Sequence, residues 1–461
     1  MTTMPDLHVN SNSACCDAPE ALQHTDTLRP SGSLRRASLH TLGCRLNQSE
    51  TAILTDKLRE DGYEIVPFGA PADLCIINTC TVTREADAKS RKMVRQFLRK
   101  NPSAYVAVIG CYAQMGAKTL AAIEGVDLII GSQEKMNVLD YVKSGKNEHP
   151  LIVRDSILRD DFTLVFPDHS SAINHRPNLK IQDGCDFMCS FCVIPFARGR
   201  ARSREMQNLR EEAANLVAKG AKELVLTGVN VGCYAWQGKD IVDVVDTLQE
   251  LDGLARIRIS SIEPTTIPEG LLTRMADPDH KLAPYLHIPL QSGADNTLEA
   301  MRRRYSRQDF LNFIHHVHDA VPGVGIGTDI MVGFPGESEA DFEESYQLLQ
   351  ESPLFYAHVF KYSERDGTAS ARRSDPVPPA QINERSARLL RCSAMKTRMF
   401  QEHHLGKRMS VLFERAQDGY WGGYTDNYLR VLTTSNEDLE NQIRSVRLTR
   451  LQGDLLYGEL A

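Results

Sequence analysis

Hydrophobic and polar residues alternate along the first third of the chain as short apolar runs and longer amphipathic stretches. The apolar runs at 39–42, 73–78, 105–110 and 127–130 are typical of strands, and the stretches at 49–61 and 84–100 have helical spacing. Strands that alternate with helices predict a parallel α/β sheet. We expect this N-terminal domain to span residues 37–145.

A second strand–helix series follows. Its predicted strands lie at 178–182, 223–227, 256–260, 285–289, 326–332 and 358–362, with helices such as 209–219 and 341–351 between them. Six strand–helix units predict an incomplete (β/α)6 barrel, at residues 175–395, rather than a closed eight-fold one.

The remaining three segments of the chain differ in composition and patterning from these two α/β regions. Short β-like segments at 408–414, 420–425, 428–432 and 442–451 predict a small all-β barrel at 396–461. Residues 1–36 are poor in apolar side chains and predict a disordered tail. Residues 146–174 mix charges, Pro and His, which is typical of an interdomain connection.

Composition limits the class of protein. The 461 residues are 42% hydrophobic and 25% charged, without the ~20 uninterrupted apolar residues of a membrane span. The polar N-terminus lacks the apolar region of a secretory signal, so we expect a cytoplasmic protein without a membrane partner. The net charge of −7 confines any nucleic-acid contact to local basic patches. Eleven cysteines without a secretory signal favour metal or redox chemistry over disulfides.

Three cysteines follow the first barrel strand in the spacing Cys-x3-Cys-x2-Cys: Cys185, Cys189 and Cys192. Three thiolates in one loop can hold a four-iron cluster and leave one iron open, and that iron can bind the amino and carboxylate groups of S-adenosylmethionine. The alternative is a zinc knuckle, which would normally need a fourth protein ligand.

A second set, Cys44, Cys80 and Cys111, is scattered in sequence, yet each member directly follows a predicted strand. The carboxyl ends of parallel strands converge on one crevice, so these thiols could hold a second cluster. The alternative is three unrelated core cysteines. That alternative suits Cys75, Cys233 and Cys392, and we interpret Cys15 and Cys16 as incidental.

Several motifs together resemble the methylthiotransferase family of the radical S-adenosylmethionine (SAM) superfamily. They are the segments 43–48, 78–80, 110–114, 184–200, 226–230, 287–293 and 333–337. The β-rich C-terminus resembles the family's TRAM domain, an RNA-binding barrel. The likeness covers about residues 40–461. Segments 43–48 and 424–428 resemble the branch that acts on N6-threonylcarbamoyladenosine beside the tRNA anticodon.

The resemblance implies two 4Fe–4S clusters and SAM as cofactors. The cluster at Cys185, Cys189 and Cys192 would reduce SAM to methionine and a 5′-deoxyadenosyl radical, and the auxiliary cluster would carry the sulfur added to C2 of adenine. Phe191 matches the aromatic residue that commonly precedes the third cysteine. Gly228 and Asn230 are candidates for the amino-acid end of SAM, and Glu263 and Gln291 for its ribose or methionine. Each could instead be a turn or capping residue.

Basic patches are the candidates for RNA contact. Arg198, Arg200, Arg202 and Arg204 follow the cysteine loop, and further basic residues crowd 89–100 and 302–307. Aromatic residues at 420–428 could stack on bases. A charge run can equally be a solvated face. We expect the protein to be a monomer. Its expected partners are tRNA, an electron donor such as flavodoxin or ferredoxin, and a sulfur source.

Three alternatives remain open. Two are methylthiotransferases that act on isopentenyladenosine in tRNA or on a ribosomal-protein aspartate. The third, from a different class, is a non-catalytic iron–sulfur protein that binds RNA.

Overall fold

The computed structural model describes residues 35–143, 145–157, 160–166 and 175–461. The predicted tail, with Cys15 and Cys16, lies outside the described residues except for Arg35 and Arg36, which begin the first strand. No helix in the described part of the chain combines the length and apolar character needed to cross a membrane.

The N-terminal domain is a six-stranded, wholly parallel sheet in the order β2-β1-β3-β4-β5-β6. Its elements are β1 (Arg35–Thr41), α1 (Arg45–Glu60), β2 (Tyr63–Ile65), β3 (Leu74–Thr79), α2 (Arg84–Lys100), β4 (Tyr105–Gly110), α3 (Cys111–Ala121), β5 (Leu128–Ile130), a 3-10 helix (Lys135–Tyr141) and β6 (Leu151–Val153). Every residue of β3 and β4 is buried, as expected for strands covered on both faces. The edge strand β6 lies in the segment predicted to be a connection.

The central domain begins with β7 (Asn178–Lys180), β8 (Gln182–Asp183), α4 (Ile194–Arg198), β9 (Arg202–Ser203), α5 (Met206–Ala218), β10 (Glu223–Thr227), α6 (Ile241–Gln249), β11 (Arg256–Ile259) and α7 (Glu269–Ala276). It continues with β12 (Tyr285–His287), α8 (Asp295–Ala300), α9 (Arg307–Ala320), β13 (Gly325–Val332), α10 (Glu339–Glu351), β14 (Tyr356–Lys361) and α11 (Pro379–His403). Short 3-10 turns lie at Val231–Cys233, Pro264–Thr266 and Ser370–Arg372.

The barrel strands form two parallel three-stranded sheets, β11-β10-β7 and β12-β13-β14. A bridge between Ile257 and Leu282 joins them. The resulting arc of six strands confirms the predicted partial (β/α)6 architecture. In the described chain, β7 and β14 do not pair with each other, so the arc stays open between them.

The C-terminal domain is a closed barrel in the order β15-β16-β17-β19-β18. Its strands are β15 (Arg408–Gln417), β16 (Tyr420–Thr425), β17 (Arg430–Thr433), β18 (Ile443–Gln452) and β19 (Leu455–Leu460). The predicted small all-β barrel is therefore confirmed. The predicted boundary at 395/396 falls inside α11, which runs unbroken from the central domain to the barrel.

Glu223 joins the C-terminal barrel to the central one. Its buried carboxylate accepts hydrogen bonds from Arg258 (2.7 Å) and Arg256 (3.2 Å). The same guanidinium groups donate hydrogen bonds across the interface to backbone carbonyls of the C-terminal barrel. Arg258 donates to Asp426 (2.8 Å) and Arg256 to Ser410 (3.2 Å). Burial alone would raise the pKa of Glu223, but Arg258 and Arg256 lower it to about 2.

Replacing Glu223 by Ala should loosen this joint, because it leaves two buried guanidinium groups without their carboxylate. Breaking one partner of a buried ion pair costs about 3 kcal/mol or more. We expect a lower melting temperature and faster release of a C-terminal fragment in limited proteolysis. The control is Glu250→Ala, an exposed glutamate of the same domain. Equal melting and cleavage of the two variants would contradict the role given to Glu223.

Candidate active site with two cysteine triads

The first triad forms at the carboxyl edge of the N-terminal sheet. Cys44 is the residue before α1, Cys80 follows β3, and Cys111 is the first residue of α3. The three preceding strands, β1, β3 and β4, are neighbours in the sheet, and the strand order reverses between β1 and β3. A ligand site is expected at such a reversal.

Close packing fixes the loops that carry these cysteines. Gly43 has φ +100°, and a Cβ built there would lie 2.6 Å from the Cβ of Cys80. Asn47 donates from Nδ2 to the carbonyls of Leu42 (2.7 Å) and Thr79 (3.1 Å). One amide thereby ties the ends of β1 and β3 together, which explains why the Cys44 motif needs both Gly43 and Asn47.

The second triad lies in the loop between β8 and α4. The N–H of Cys192 donates to the carbonyl of Cys189 (3.1 Å). Burial raises the pKa of Cys185 and of Cys192 to about 12, so both remain thiols until a metal displaces the proton. Phe191 packs against a cluster of Met301, Met331 and Phe334.

The spacing of both triads argues against a single metal ion. A tetrahedral zinc with Zn–S bonds of about 2.3 Å would bring its sulfurs within about 3.8 Å of one another. Within the described ranges, neither triad has all three sulfurs within 4.8 Å of one another. At least one pair of sulfurs in each triad is therefore further apart than a single zinc ion would hold it, which favours a cluster of several irons. For Cys185, Cys189 and Cys192 this disfavours the zinc knuckle of the alternative interpretation.

The predicted SAM contacts Gly228 and Asn230 have structural partners. A Cβ at Gly228 would lie 2.8 Å from Oε1 of Gln182, and that oxygen accepts the N–H of Asn230 (3.1 Å). The side chain of Asn230 donates to Sγ of Cys233 (3.1 Å) and accepts from the N–H of Glu263 (3.2 Å). The turn interpretation thus fits both residues, which tie the loops after β10 and β11 together.

Gln291 retains the properties of a ligand contact. It is 8% exposed, and its Oε1 is buried without a hydrogen-bond partner in the described structure. Its φ of +74° is unusual for a residue other than glycine. A strained residue with a buried, unpaired acceptor is expected at a binding site.

Arg303 is a residue at this site that the sequence analysis did not single out. Its Nη1 donates to Sγ of Cys189 (3.3 Å), and its Nη2 forms an ion pair with Glu263. Burial raises the pKa of Glu263 although Arg303 opposes the shift. The basic run at 302–304 was the signal, but it was interpreted as a surface patch.

A buried charge cluster joins the two triads, and we call it the Glu50 cluster. Glu50 on α1 is fully buried, and its Oε1 lies 2.7 Å from Nζ of Lys135, 2.9 Å from Nζ of Lys180 and 3.1 Å from Nη1 of Arg198. Asp183, which precedes the Cys185 loop, accepts from Arg198 (2.9 Å) and Lys180 (2.6 Å). The cluster links the helix after Cys44 to the segments on either side of the second triad.

Arg198 is the centre of this joint. Its Nη2 donates to Oδ1 of Asn47 (2.6 Å), the residue that holds the Cys44 and Cys80 loops. Burial alone would lower the pKa of Arg198, but neighbouring acidic groups hold this pKa well above its ordinary value. These neighbours are Asp183, Cys111, Glu50 and Cys44. Arg198 therefore lies beside the first triad while belonging to the segment that carries the second.

The structure contradicts three of the four predicted RNA contacts after the cysteine loop. Arg198 (1% exposed), Arg202 (9%) and Arg204 (0%) are buried. Arg204 forms an ion pair with Glu212, so none of the three presents its charge on the surface. Only Arg200 of this group has a side chain that is substantially exposed (41%).

Two of the aromatic residues near 420–428, Tyr424 and Tyr428, contact other side chains of the protein. Tyr428 stacks on Tyr424 and Tyr285 with ring centroids 5.0 and 4.6 Å apart, and Arg176 lies 4.3 Å from the Tyr424 ring. Nη2 of Arg45, next to Cys44, donates to the Tyr428 hydroxyl (2.9 Å). These tyrosines therefore help to join the three domains.

A second contact joins the N-terminal domain to the other edge of the open barrel. Arg365, after β14, forms an ion pair with Asp87 of α2 (2.7 Å). Arg84 of α2 lies 2.7 Å from Glu364. Together with the Glu50 cluster beside β7, these pairs attach the N-terminal domain to both edges of the arc.

Comparisons with known proteins agree with this architecture. Residues 36–131 match the model of "Uncharacterized protein family UPF0004", and residues 179–349 match that of the "Radical SAM superfamily". The solved structure of the radical SAM methyltransferase TsrM from Kitasatospora setae has a TM-score of 0.51 and 15% identity, and the match covers 71% of this chain and 75% of that one. At this identity the likeness concerns the fold. Fold and site together define a radical SAM protein.

Curated relatives narrow the class. The chain is 37% identical to the threonylcarbamoyladenosine tRNA methylthiotransferase MtaB of Bacillus subtilis, over 90% of this chain and 93% of the relative. It is 37% identical to the MtaB of Aquifex aeolicus over 82% and 92%. It is 31% identical to a tRNA-2-methylthio-N(6)-dimethylallyladenosine synthase of Rickettsia canadensis over 92% and 99%. The chain belongs to the methylthiotransferase family of radical SAM enzymes.

The Glu50 cluster predicts a large cost for neutralising Glu50. Glu50→Gln leaves Lys135, Lys180 and Arg198 with one carboxylate fewer, and a broken buried network costs about 3–5 kcal/mol. We expect a clear fall in melting temperature, measured anaerobically on the cluster-loaded protein. The matched control is Glu60→Gln, an exposed glutamate of the same helix. If both variants melted like the wild type, the Glu50 cluster would not hold the two domains together.

Proposed function

We propose that this protein transfers a methylthio group to C2 of N6-threonylcarbamoyladenosine beside the anticodon of tRNA. The observation that carries the proposal is the pairing of two cysteine triads across one domain joint, with Arg198 in contact with the loops of both. The relatives named for this substrate share 31–37% identity with the chain, and those named for dimethylallyladenosine share 31–32%. The proposed substrate is the one named for the relatives at the upper end of this range.

In the proposed mechanism, Cys185, Cys189 and Cys192 hold the SAM-binding 4Fe–4S cluster, and Cys44, Cys80 and Cys111 hold the auxiliary one. When bound, the clusters and SAM supply the electron for SAM cleavage, the 5′-deoxyadenosyl radical and the methylated sulfur. Each triad would supply three of the four protein ligands that a 4Fe–4S cluster can take.

The chain's own residues orient these groups. Arg303 donates to Sγ of Cys189 and would stabilise the negative charge that the thiolate gains. The unpaired Oε1 of Gln291 can accept a hydrogen bond from SAM. Asn230 and Gly228 would shape the loops after β10 and β11 rather than touch the cofactor. Phe191 would anchor the cysteine loop by packing against the core cluster of Met301, Met331 and Phe334.

The RNA surface is proposed on α2. This helix begins four residues after Cys80, and its Arg91 donates to the hydroxyl of Tyr112, next to Cys111 (2.6 Å). Apart from Arg84, which pairs with Glu364, its exposed basic residues are Lys89, Lys92, Arg95, Arg99 and Lys100. Seventeen residues extend over about 25 Å, so α2 can follow a phosphate backbone that leaves the auxiliary site.

The C-terminal barrel is proposed to be a TRAM domain that adds a second RNA contact. Arg408 and Arg447 lie directly opposite each other on β15 and β18, and both are exposed. Like charges in directly opposed positions repel each other, and a phosphate between them would relieve that repulsion. We further propose that the enzyme works in the cytoplasm as a monomer, with a flavodoxin or ferredoxin as electron donor and a separate sulfur source.

The nucleoside profile of tRNA tests the function. A strain that lacks this gene should lose 2-methylthio-N6-threonylcarbamoyladenosine, and the wild-type gene should restore it, as measured by mass spectrometry of digested tRNA. Cys185→Ala and Cys80→Ala should both fail to restore it, whereas Cys392→Ala, in a core position away from the triads, should succeed. An unchanged profile after deletion would refute the substrate, and loss of the isopentenyl derivative instead would favour that alternative.

Iron content separates the roles of the triads. Replacing all three cysteines of either triad by Ala should lower the iron of the anaerobically reconstituted protein from about eight to about four per chain. Only replacement of Cys185, Cys189 and Cys192 should abolish 5′-deoxyadenosine formation on reduction with SAM. Unchanged iron after replacement of Cys44, Cys80 and Cys111 would rule out the auxiliary cluster.

Charge removal on α2 tests the RNA surface. Lys92→Gln with Arg95→Gln should weaken tRNA binding about tenfold or more at low salt and should flatten its salt dependence, because two phosphate contacts are lost. The control pair is Arg391→Gln with Arg398→Gln, exposed on α11. Salt-dependent filter binding would exclude this surface if the α2 pair bound tRNA like the control pair.

A further inference from the structure

Three side chains with metal-ligating atoms meet on the inner wall of the barrel, and none of them belongs to either triad. His287 lies on β12, Asp329 on β13 and His358 on β14, which are neighbouring strands. Side chains alternate between the two faces of a strand. Leu286 and Ile330, next to them in sequence, belong to the core under the helices. The three polar residues therefore face the inside of the arc.

The distances among their ligand atoms match a coordination sphere. Nε2 of His287 lies 3.0 Å from Oδ2 of Asp329, and Nδ1 of His358 lies 3.5 Å from Oδ1. One ligand atom from each residue lies within 4.8 Å of the others, and no other His, Cys, Asp or Glu group of the described residues meets this criterion. Ligands about 2.1 Å from one metal are about 3.0–3.4 Å apart.

A second layer of hydrogen bonds orients His287. Its Nδ1 lies 3.0 Å from the hydroxyl of Tyr356, which lies 2.6 Å from the hydroxyl of Tyr285. Without a metal, Nε2–H donates to Asp329 and Nδ1 accepts from the Tyr356 hydroxyl; with a metal on Nε2, the proton would lie on Nδ1 and donate to Tyr356. Fixing the tautomer through the second ring nitrogen is the usual support of a metal-binding histidine.

The group is open on one side. The side chain of His358 is 68% exposed, that of Asp329 24% and that of His287 8%. A metal held here would have protein on one side and free coordination positions on the other.

A simple hydrogen-bonded chain explains the group less well. The 3.0 Å contact of His287 with Asp329 is a normal hydrogen bond, but 3.5 Å from His358 is beyond the usual range. An exposed imidazole gains little from such a long contact with a carboxylate. Two histidines and one carboxylate around an open face are instead the donor set that binds divalent iron and related metals.

We propose that His287, Asp329 and His358 bind one divalent transition-metal ion, with zinc as the test ion, at a site distinct from the two clusters. The site lies beneath the SAM loop. Met331, two residues or about 7 Å beyond Asp329 on the same face of β13, packs in the cluster that supports Phe191. The free positions of the metal would face the inside of the barrel.

Metal analysis of the cluster-loaded full-length protein tests the proposal. The protein is equilibrated anaerobically with zinc, desalted and analysed for zinc and iron together. The wild type should retain about one zinc per chain above the Asp329→Asn and His358→Ala variants, with equal iron in all three. Tyr356→Phe should bind zinc about tenfold more weakly, because it removes the hydrogen bonds of the Tyr356 hydroxyl with His287 and Tyr285 but leaves all three ligands in place.

The matched control is His316→Ala. His316 forms an exposed pair with Glu269 (3.0 Å) on helices α9 and α7, without a third ligand, so its loss should leave zinc retention unchanged. Equal zinc in the wild type and in Asp329→Asn would overturn the site, whatever the tRNA profile shows. Because iron content is measured in the same samples, loss of a cluster cannot be mistaken for loss of this metal.

Discussion

The architecture depends on one buried carboxylate, Glu50, shared by three cations from two domains. Lys135 comes from the N-terminal domain, whereas Lys180 and Arg198 come from the central barrel, 130 and 148 residues further along the chain. A charge taken out of water is costly unless it is paired. Each cation therefore needs Glu50, and the domains dock only where these groups meet. That docking sets the distance between the two cysteine triads, on which any transfer between them depends.

The joint to the C-terminal barrel uses the same device. Glu223 takes the place of Glu50, and Arg256 and Arg258 carry the contact to backbone carbonyls of the barrel. Guanidinium groups suit this task because their fixed fork of donors can serve a carboxylate and a carbonyl together. The basic residues of this chain are thus divided between internal joints and an outer face, with α2 as the clearest example of the latter.

Sequence patterns predicted the elements best where a buried strand separates two helices. The strand predicted at 105–110 is β4, and that at 223–227 is β10, because fully covered strands are continuous apolar runs between turns. The patterns missed features at the edges of the domains. The strand β6 has three residues, two of them exposed, so its pattern did not differ from that of a connection. Helix α11 crosses the expected domain boundary because helical periodicity does not stop where a domain does.

Local sequence therefore determined which residues are the candidates for the chemistry. The spacing of Cys185, Cys189 and Cys192, and the position of Cys44, Cys80 and Cys111 after strands, follow from the order of residues along the chain. Tertiary structure alone decided which charged side chains are buried in ion pairs and which are exposed. Arg198 and Arg200 are equally basic, yet Arg198 is buried among Glu50, Asp183 and Asn47, whereas the side chain of Arg200 is 41% exposed. The sequence could not distinguish them, because a charge is fixed by partners that only folding brings within a few ångströms.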